Sequence, residues 1–233
     1  TEALLGVGNI DFVLQGEADF TLTDLADALE NQSDYSQIHG IGYKTREGQI
    51  IVKEKGTKNF IQDLDSIPFP ARDLLKMDIY YKVGLTRGMD VTSKKNVNLI
   101  TSRGCPAKCS FCTIHTVWGR KFRRRSPENV LAELEQIKNQ FGAKHIQFED
   151  DNLTHDIPRA KELFKGMIDK KLNLKFDTPN GVSLWRMDKP TLKLMKEAGC
   201  NSITFAVESG SQRVLYEVIK KPQNLKKVVP LIG

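Results

Sequence analysis

An alternation of strand-like and helix-like segments runs through the sequence from about residue 94 onward. Short apolar stretches predict strands at 97–102, 144–148, 172–177 and 201–207. Between them lie segments whose apolar residues recur every three to four positions, which is the spacing of an amphipathic helix. Strands that alternate with helices form parallel βαβ units with right-handed crossovers. Four such units are too few to close a barrel, so we predict an α/β fold containing a partial (β/α) barrel of about four units.

The predicted helices carry their own boundary signals. Ser126 stands directly before Pro127, and a capping residue followed by proline at the first helical position is a typical helix start. The other candidate caps are Asp156, Asp188 and Ser211, and the candidate stops are Gly142 and Gly199. The apolar residues 228–233 predict the start of a further strand, so we expect the barrel to be cut short there.

The part of the chain before this alternation divides in two. Residues 1–58 predict a short α/β piece that is too small to enclose a core, so we expect it to be the C-terminal part of a larger Rossmann-like domain. The chain begins at Thr1 rather than at methionine, and we expect the true start to be missing. Residues 59–93 predict a connector, because closely spaced prolines exclude regular helix and central strand. Residues 94–233 then form the (β/α) core.

Composition limits the class of protein and its setting. No apolar run approaches the ~20 residues that a membrane span needs. The chain has only 4 cysteines, three of them clustered, which argues against a secreted disulfide framework and predicts a cytoplasmic protein. The net charge is +6, and much of the basic excess is local, at residues 120–125 and 220–227. A basic run is most often a solvated face, and nucleic-acid binding is not the leading interpretation.

Three cysteines follow the first predicted strand at C-x₃-C-x₂-C spacing: Cys105, Cys109 and Cys112. Thiolates this close together can converge on one metal centre, and three of them leave one coordination position open. A zinc site with His115 or Cys200 as fourth ligand is an alternative, but structural zinc sites usually have two paired ligand sets. A 4Fe-4S cluster with one iron not held by cysteine accounts better for the pattern.

Polar residues follow all four predicted strands, and ligands bind at the carboxyl ends of strands in parallel α/β folds. The residues in these positions are Arg103 and the cysteines, then Glu149 to Asn152, then Asp177 to Asn180, then Glu208 to Ser211. Because parallel strands end at one edge, we expect all four sets to line the same rim.

The cysteine motif, with Phe111 directly before its last cysteine, resembles the signature of the radical S-adenosylmethionine (radical SAM) enzymes. The runs from 101–105 through 118–120 and at 125–130 are similar to the branch of that superfamily with a cobalamin-binding domain. Residues 148–152 and 207–211 fall where the superfamily places further SAM contacts. Residues 10–19 resemble the end of a cobalamin-binding domain. The D-x-H-x-x-G motif of proteins whose histidine ligates cobalt is absent from the chain. Cobalamin binding is therefore expected only in the full-length parent.

The resemblance implies a radical SAM enzyme, an oxidoreductase or transferase, in which the three cysteines hold three irons and SAM chelates the fourth. It places Phe111 beside the adenine, Glu149 at the SAM amino group, and Glu208 or Ser209 at the ribose or methionine, with Asp150 as a further cofactor-binding residue. It implies reductive cleavage of SAM to a 5′-deoxyadenosyl radical for hydrogen abstraction or cobalamin-linked methyl transfer, with flavodoxin or ferredoxin as the reductant. The substrate is not indicated.

Two other classes of protein remain open at this point. The first is a zinc-stabilised, basic nucleic-acid-binding module, which the cysteines and the basic runs would both suit. The second is an iron-sulfur redox protein that holds a cluster but does not bind SAM.

Overall fold

A computed structural model describes residues 1–53, 60–84 and 93–232 of the chain. The chain divides into two compact units, one formed by Thr1–Gln62 with His115–Gly119 and the other by Asp63–Ile114 with Arg120–Gly233. The predicted domain boundary at residues 58 and 59 lies outside the described residues, as does 85–92 of the predicted connector.

The strands are β1 Phe12–Leu14, β2 Ile41–Lys44, β3 Ile50–Val52, β4 Asn96–Leu99, β5 Ser102–Arg103, β6 Arg123–Arg124, β7 His145–Phe148, β8 Lys175–Thr178 and β9 Cys200–Ile203. The α-helices are α1 Glu2–Leu5, α2 Asp19–Glu30, α3 Met77–Val83, α4 Ile114–Trp118, α5 Pro127–Phe141, α6 Ile157–Asp169, α7 Lys189–Glu197 and α8 Leu225–Ile232. Leu64–Ser66 and Arg72–Leu74 are 3₁₀ turns, and Val214–Val218 is a π-helical segment.

The first unit contains a three-stranded antiparallel sheet in the order β1-β2-β3. The ring of Tyr35 packs edge-on against Phe12 and Tyr43, with centroid distances of 5.2 and 5.1 Å. Leu5 and Ile41, in α1 and β2, are fully buried. Helices and strands are therefore both present in this region, and its strands pair into a single sheet.

The second unit is built on a four-stranded parallel sheet in the order β4-β7-β8-β9. The register pairs Leu99 with Phe148, and Gln147 with Asp177, so the carboxyl ends of neighbouring strands lie at one edge. Each of these strands is followed by at least one helix before the next. This arrangement confirms the predicted α/β fold with a partial (β/α) barrel.

The helices begin where the sequence predicts. Ser126 Oγ accepts a hydrogen bond from Asn129 N at 3.1 Å, Asp156 caps α6 through Arg159 N at 3.2 Å, and Asp188 caps α7 through Thr191 N at 2.7 Å. A side-chain acceptor at the cap satisfies one of the backbone donors that a helix leaves unpaired in its first turn. These caps fix where each helix departs from the carboxyl edge of the sheet.

Four predicted strands differ from the structure. The strand predicted at 172–177 begins only at Lys175, and the strand predicted at 201–207 ends at Ile203. The strand predicted at 97–102 ends at Leu99, because the backbone of Thr101 turns away to bond the side chain of Asp150, two residues after the end of β7. Ser102–Arg103 pairs antiparallel with β6 instead. The strand predicted from residue 228 is part of α8. Its apolar residues stand at helical spacing (Leu225, Val228, Val229, Ile232), and the side chain of Val228 is buried in the core.

Among the helices of the described residues, none combines the length and the apolar character needed to cross a membrane.

Candidate cofactor site

The exit of β4 is tied to the end of β7 by one buried carboxylate. Asp150 accepts hydrogen bonds from Thr101 N at 3.1 Å, from Thr101 Oγ1 at 2.8 Å and from the hydroxyl of Ser102. The side chain of Asp150 is 1% exposed. These bonds hold the backbone three to four residues before Cys105, so Asp150 positions the start of the cysteine loop (105–112).

A buried guanidinium lies beside this carboxylate. Arg159 donates to Thr101 O and to Arg125 O, both at 3.1 Å. Burial raises the pKa of Asp150, while the charge of Arg159 and the hydrogen bonds from Ser102 and Thr101 oppose the rise. Burial likewise lowers the pKa of Arg159, and Asp150 opposes that shift. The two charges therefore compensate each other beneath the loop.

The cysteine loop contains three thiols, none of them in a disulfide and each half-buried. Burial raises the pKa of Cys109, Lys221 lowers it, and Cys105 and Cys112 raise it further. The thiols of Cys105 and Cys112 therefore interact electrostatically with that of Cys109. In the described parts of the chain, no three or more histidine, cysteine, aspartate or glutamate side chains already converge as a metal site. The donor set nevertheless fits an iron-sulfur cluster, because three thiols on one loop can supply three of its ligands.

The cysteine loop is attached to its surroundings at several points. Asn152, which follows β7, directs its amide Nδ2 at Cys105 Sγ over 3.7 Å. Ser110 N donates to Ile219 O at 2.8 Å, and Arg120 Nη1 donates to Ala107 O at 2.9 Å. The ring of Phe111 is 60% exposed. The backbone of the loop is thus held in place while its aromatic side chain faces outward.

Cys200, an alternative ligand, lies at the wrong end of the sheet to join the three loop cysteines. It is the first residue of β9, whereas the cysteine loop follows the carboxyl end of β4, and the strands are parallel. Burial, and to a smaller extent Asp177, raises its pKa to about 12. Cys200 therefore behaves as a buried thiol and not as a fourth ligand of this site.

Polar residues that follow β7 and β8 contact each other at the carboxyl edge of the sheet. Asn180, which follows β8, donates through Nδ2 to Glu149 O at 2.9 Å and to Glu149 Oε2 at 3.4 Å. The structure therefore places Glu149 beside Asn180, as expected for strand ends that share a rim. Burial, together with the neighbouring charge of Asp150, raises the pKa of Asp151 to about 6.

The segment after β9 carries the other two predicted residues. Glu208 Oε1 lies 2.9 Å from Lys221 Nζ in an ion pair, and Ser209 Oγ accepts a hydrogen bond from Ser211 N at 3.1 Å. The sequence alone offered no signal for Lys221, because a Lys-Lys pair is typical of a solvated surface. Its side chain is instead 7% exposed.

Arginines of the basic run after the cysteines form ion pairs with carboxylates elsewhere in the second unit or are buried. Arg124 pairs with Asp156 at 2.9 Å, and Arg125 pairs with Glu133 at 2.5 Å. Arg123 is buried within β6. These arginines therefore connect structural elements of the second unit, which explains why so many positive charges can stand together.

The model of the radical SAM superfamily matches residues 99–232, which include the cysteine loop and all four rim segments. The chain belongs to the radical SAM superfamily. It is 36% identical to cytidylyl-2-hydroxyethylphosphonate methyltransferase from Streptomyces wedmorensis, over 99% of this chain and 46% of the relative. It is 34% identical to an uncharacterised methyltransferase from Pyrococcus horikoshii, over 88% of this chain and 42% of the relative.

Solved structures share the fold of this radical SAM chain. The radical SAM methyltransferase TsrM from Kitasatospora setae, with cobalamin and a [4Fe-4S] cluster bound, matches with a TM-score of 0.73 and 17% identity over 99% of this chain and 45% of its own. The cobalamin-dependent enzyme OxsB matches with a TM-score of 0.69 and 23% identity over 95% and 31%. The chain spans less than half the length of each of these relatives.

Proposed function

We propose that this protein holds a 4Fe-4S cluster through Cys105, Cys109 and Cys112 and binds SAM at the iron that no cysteine holds. The observation that carries the proposal is the loop of three cysteine thiols, none in a disulfide, at the carboxyl edge of the parallel sheet. When bound, the cluster and SAM would supply one-electron cleavage of SAM to methionine and a 5′-deoxyadenosyl radical.

The residues of the rim would orient SAM. The exposed ring of Phe111 can lie along the adenine, which is an apolar surface with polar edges. The carboxylate of Glu149, steadied by Asn180, can accept hydrogen bonds from the SAM amino group. Glu208 and Ser209 would meet the ribose or the methionine part. Asp150 is also predicted to bind the cofactor, although the hydrogen bonds in the structure support a role in holding the cysteine loop.

We further propose that the whole protein is a cobalamin-dependent methyltransferase. Support comes from two relatives named as methyltransferases and from the cobalamin bound in the TsrM and OxsB structures. Hydrogen abstraction without methyl transfer is a second candidate, favoured by 27% identity over 91% of the chain to an anaerobic magnesium-protoporphyrin IX monomethyl ester cyclase from Synechocystis. The substrate is therefore proposed only as a small organic acceptor.

The proposed chemistry sets the environment and the partner. A cluster ligated by thiolates persists in a reducing compartment, which supports a cytoplasmic protein, in agreement with cysteines that form no disulfide. Reduction needs a low-potential one-electron donor, for which flavodoxin or ferredoxin are the proposed candidates.

Anaerobic reconstitution with iron and sulfide tests the site. We expect a brown protein with a broad absorption near about 400 nm, because thiolate-to-iron charge transfer absorbs there. The Cys109→Ala variant should lose that band and part of its iron, whereas Cys200→Ala should keep both, since Cys200 starts β9 at the opposite end of the sheet.

Three experimental results distinguish the proposed enzyme from the zinc module and from the redox protein. Stoichiometric zinc in a colourless protein would contradict the cluster and support the zinc module. A cluster whose reduced EPR signal does not change on addition of SAM would support a redox protein that lacks SAM binding. A SAM-dependent change supports the proposed enzyme.

A further inference from the structure

Lys221 is a cation with little access to solvent at the carboxyl edge of the sheet. Its ammonium donates to Glu208 Oε1 at 2.9 Å and also to Ala206 O, both in the segment after β9. The lysine as a whole is 6% exposed. A lysine in such a position usually carries a defined electrostatic task, because burying an ammonium is costly unless it is paired.

The backbone on both sides of this ion pair is strained. Glu208 has φ of 69° and Lys220 has φ of 61°, in the left-handed region that residues other than glycine rarely adopt. Such conformations persist only where the surrounding structure determines them, and they are concentrated at functional sites. The fold therefore accepts strain at both ends of the ion pair to hold Lys221 where it is.

The segment that contains Lys221 is bonded to the cysteine loop. Ser110 N, within the loop, donates to Ile219 O at 2.8 Å, and Lys221 follows Ile219 by two residues. The buried ammonium is thus held two residues from the point at which this segment bonds the cysteine loop, and its own hydrogen bonds to Ala206 O and Glu208 fix it there.

We propose that Lys221 is a positioning residue that sets the reduction potential of the cluster, with Glu208 as its counter-charge. The inference rests on the proposed cluster ligation by the three loop cysteines. One electron from a low-potential donor makes the cluster more negative, and a cation held nearby at low dielectric favours that more negative state. Removing the cation should make reduction harder, and removing its counter-charge should make reduction easier.

The test is a redox titration of the reconstituted, SAM-free protein, with dithionite as reductant and the EPR signal of the reduced cluster as readout. We expect Lys221→Gln to shift the reduction equilibrium about tenfold toward the oxidised form, which is ~59 mV for a one-electron couple. Glu208→Gln should shift it in the opposite direction. Lys221→Arg keeps the charge and should restore most of the potential.

Lys161→Gln is the matched control. Lys161 forms an ion pair of 2.8 Å with Asp188, similar in length to the Lys221–Glu208 pair, but on α6 and the start of α7. The Lys161→Gln variant should have the same reduction potential as the wild-type protein. If Lys221 had a purely structural role, the Lys221→Gln variant would have a lower melting temperature but an unchanged reduction potential.

Each outcome decides something specific. An unchanged potential in Lys221→Gln overturns the inference while leaving the cluster in place. If Lys221→Gln fails to fold, Glu208→Gln decides alone, and an unchanged potential in that variant overturns the inference as well. If the wild-type protein takes up no iron and sulfide, the proposed function itself fails, and this inference fails with it.

Discussion

Asp150 and Asp151 are adjacent carboxylates in different surroundings. Asp150 is enclosed and bound by Thr101 and Ser102, with Arg159 nearby. Asp151 is partly buried, and burial together with the charge of Asp150 raises its pKa to about 6. One carboxylate therefore has compensating partners, whereas the ionised form of the other is disfavoured in the folded protein.

The raised pKa of Asp151 predicts a pH-dependent gain in stability for Asp151→Asn. The folded protein holds this proton up to about pH 6, while the unfolded chain releases it near the ordinary value of 3.8. Ionisation thus costs stability, the cost growing between these two values and being complete above about pH 6. Because the side chain is only partly buried, solvent screening limits the expected gain to about 1 kcal/mol at pH 8.

Urea unfolding of the apo protein at pH 8 and pH 4.5 measures this gain. It should be clearly smaller at the lower pH, where much of the cost is already absent. Glu162→Gln, on an exposed position in the middle of α6, should show little dependence on pH. An equal gain at both pH values would contradict the assignment to Asp151.

At the scale of elements, the turn from α7 to β9 depends on one glycine. Gly199 has φ of +108°, and a Cβ added there would lie 2.2 Å from Leu174 O. Both the left-handed backbone and the close approach of a carbonyl exclude a side chain. This tight turn allows β9 to enter the sheet beside β8.

We expect Gly199→Ala to destabilise the protein by about 3 kcal/mol, from backbone strain together with the clash. A Cβ on Gly210 would meet no atom within 4 Å, so Gly210→Ala serves as the control and should change stability by about 0.5 kcal/mol or less. The midpoint of denaturant unfolding, followed by circular dichroism, distinguishes them. Equal midpoints would show that the turn relaxes around the new methyl group.

At the scale of the second unit, Phe176 joins the sheet to its helices. Its ring lies 5.3 Å from Phe148 in an edge arrangement and 5.6 Å from Phe164 in a stacked one. All three side chains are essentially fully buried. Because β8 is a central strand, Phe176 connects β7, α6 and its own strand in one core.

Phe176→Ala should lower the free energy of unfolding by about 4 kcal/mol, since it removes a buried ring and leaves a cavity. Thermal or chemical unfolding measures the loss. Phe111→Ala removes the same ring from an exposed position and should change stability by no more than about 0.5 kcal/mol. A small effect of Phe176→Ala would mean that α6 collapses onto the sheet to fill the space.

Much of the fold was predictable because its signals are local. The caps Ser126, Asp156 and Asp188 bond backbone groups three residues away, so the sequence carries the full interaction. The misplaced strand at residue 228 had a local signal too, since its apolar residues stand at helical spacing. The early end of β4 had none, because it depends on Asp150, 49 residues from Thr101.

By itself, the sequence determined the alternation of strands and helices and the spacing of the three cysteines, which together place a thiol loop at the carboxyl edge of a parallel sheet. The tertiary structure decided which charges serve that loop. It buried Asp150 beside Arg159, used the arginines at 123–125 as internal connections, and buried Lys221 two residues after Ile219, which bonds the cysteine loop. The physical reason is that burial and ion pairing depend on which distant segments meet, and no spacing within a single segment records that.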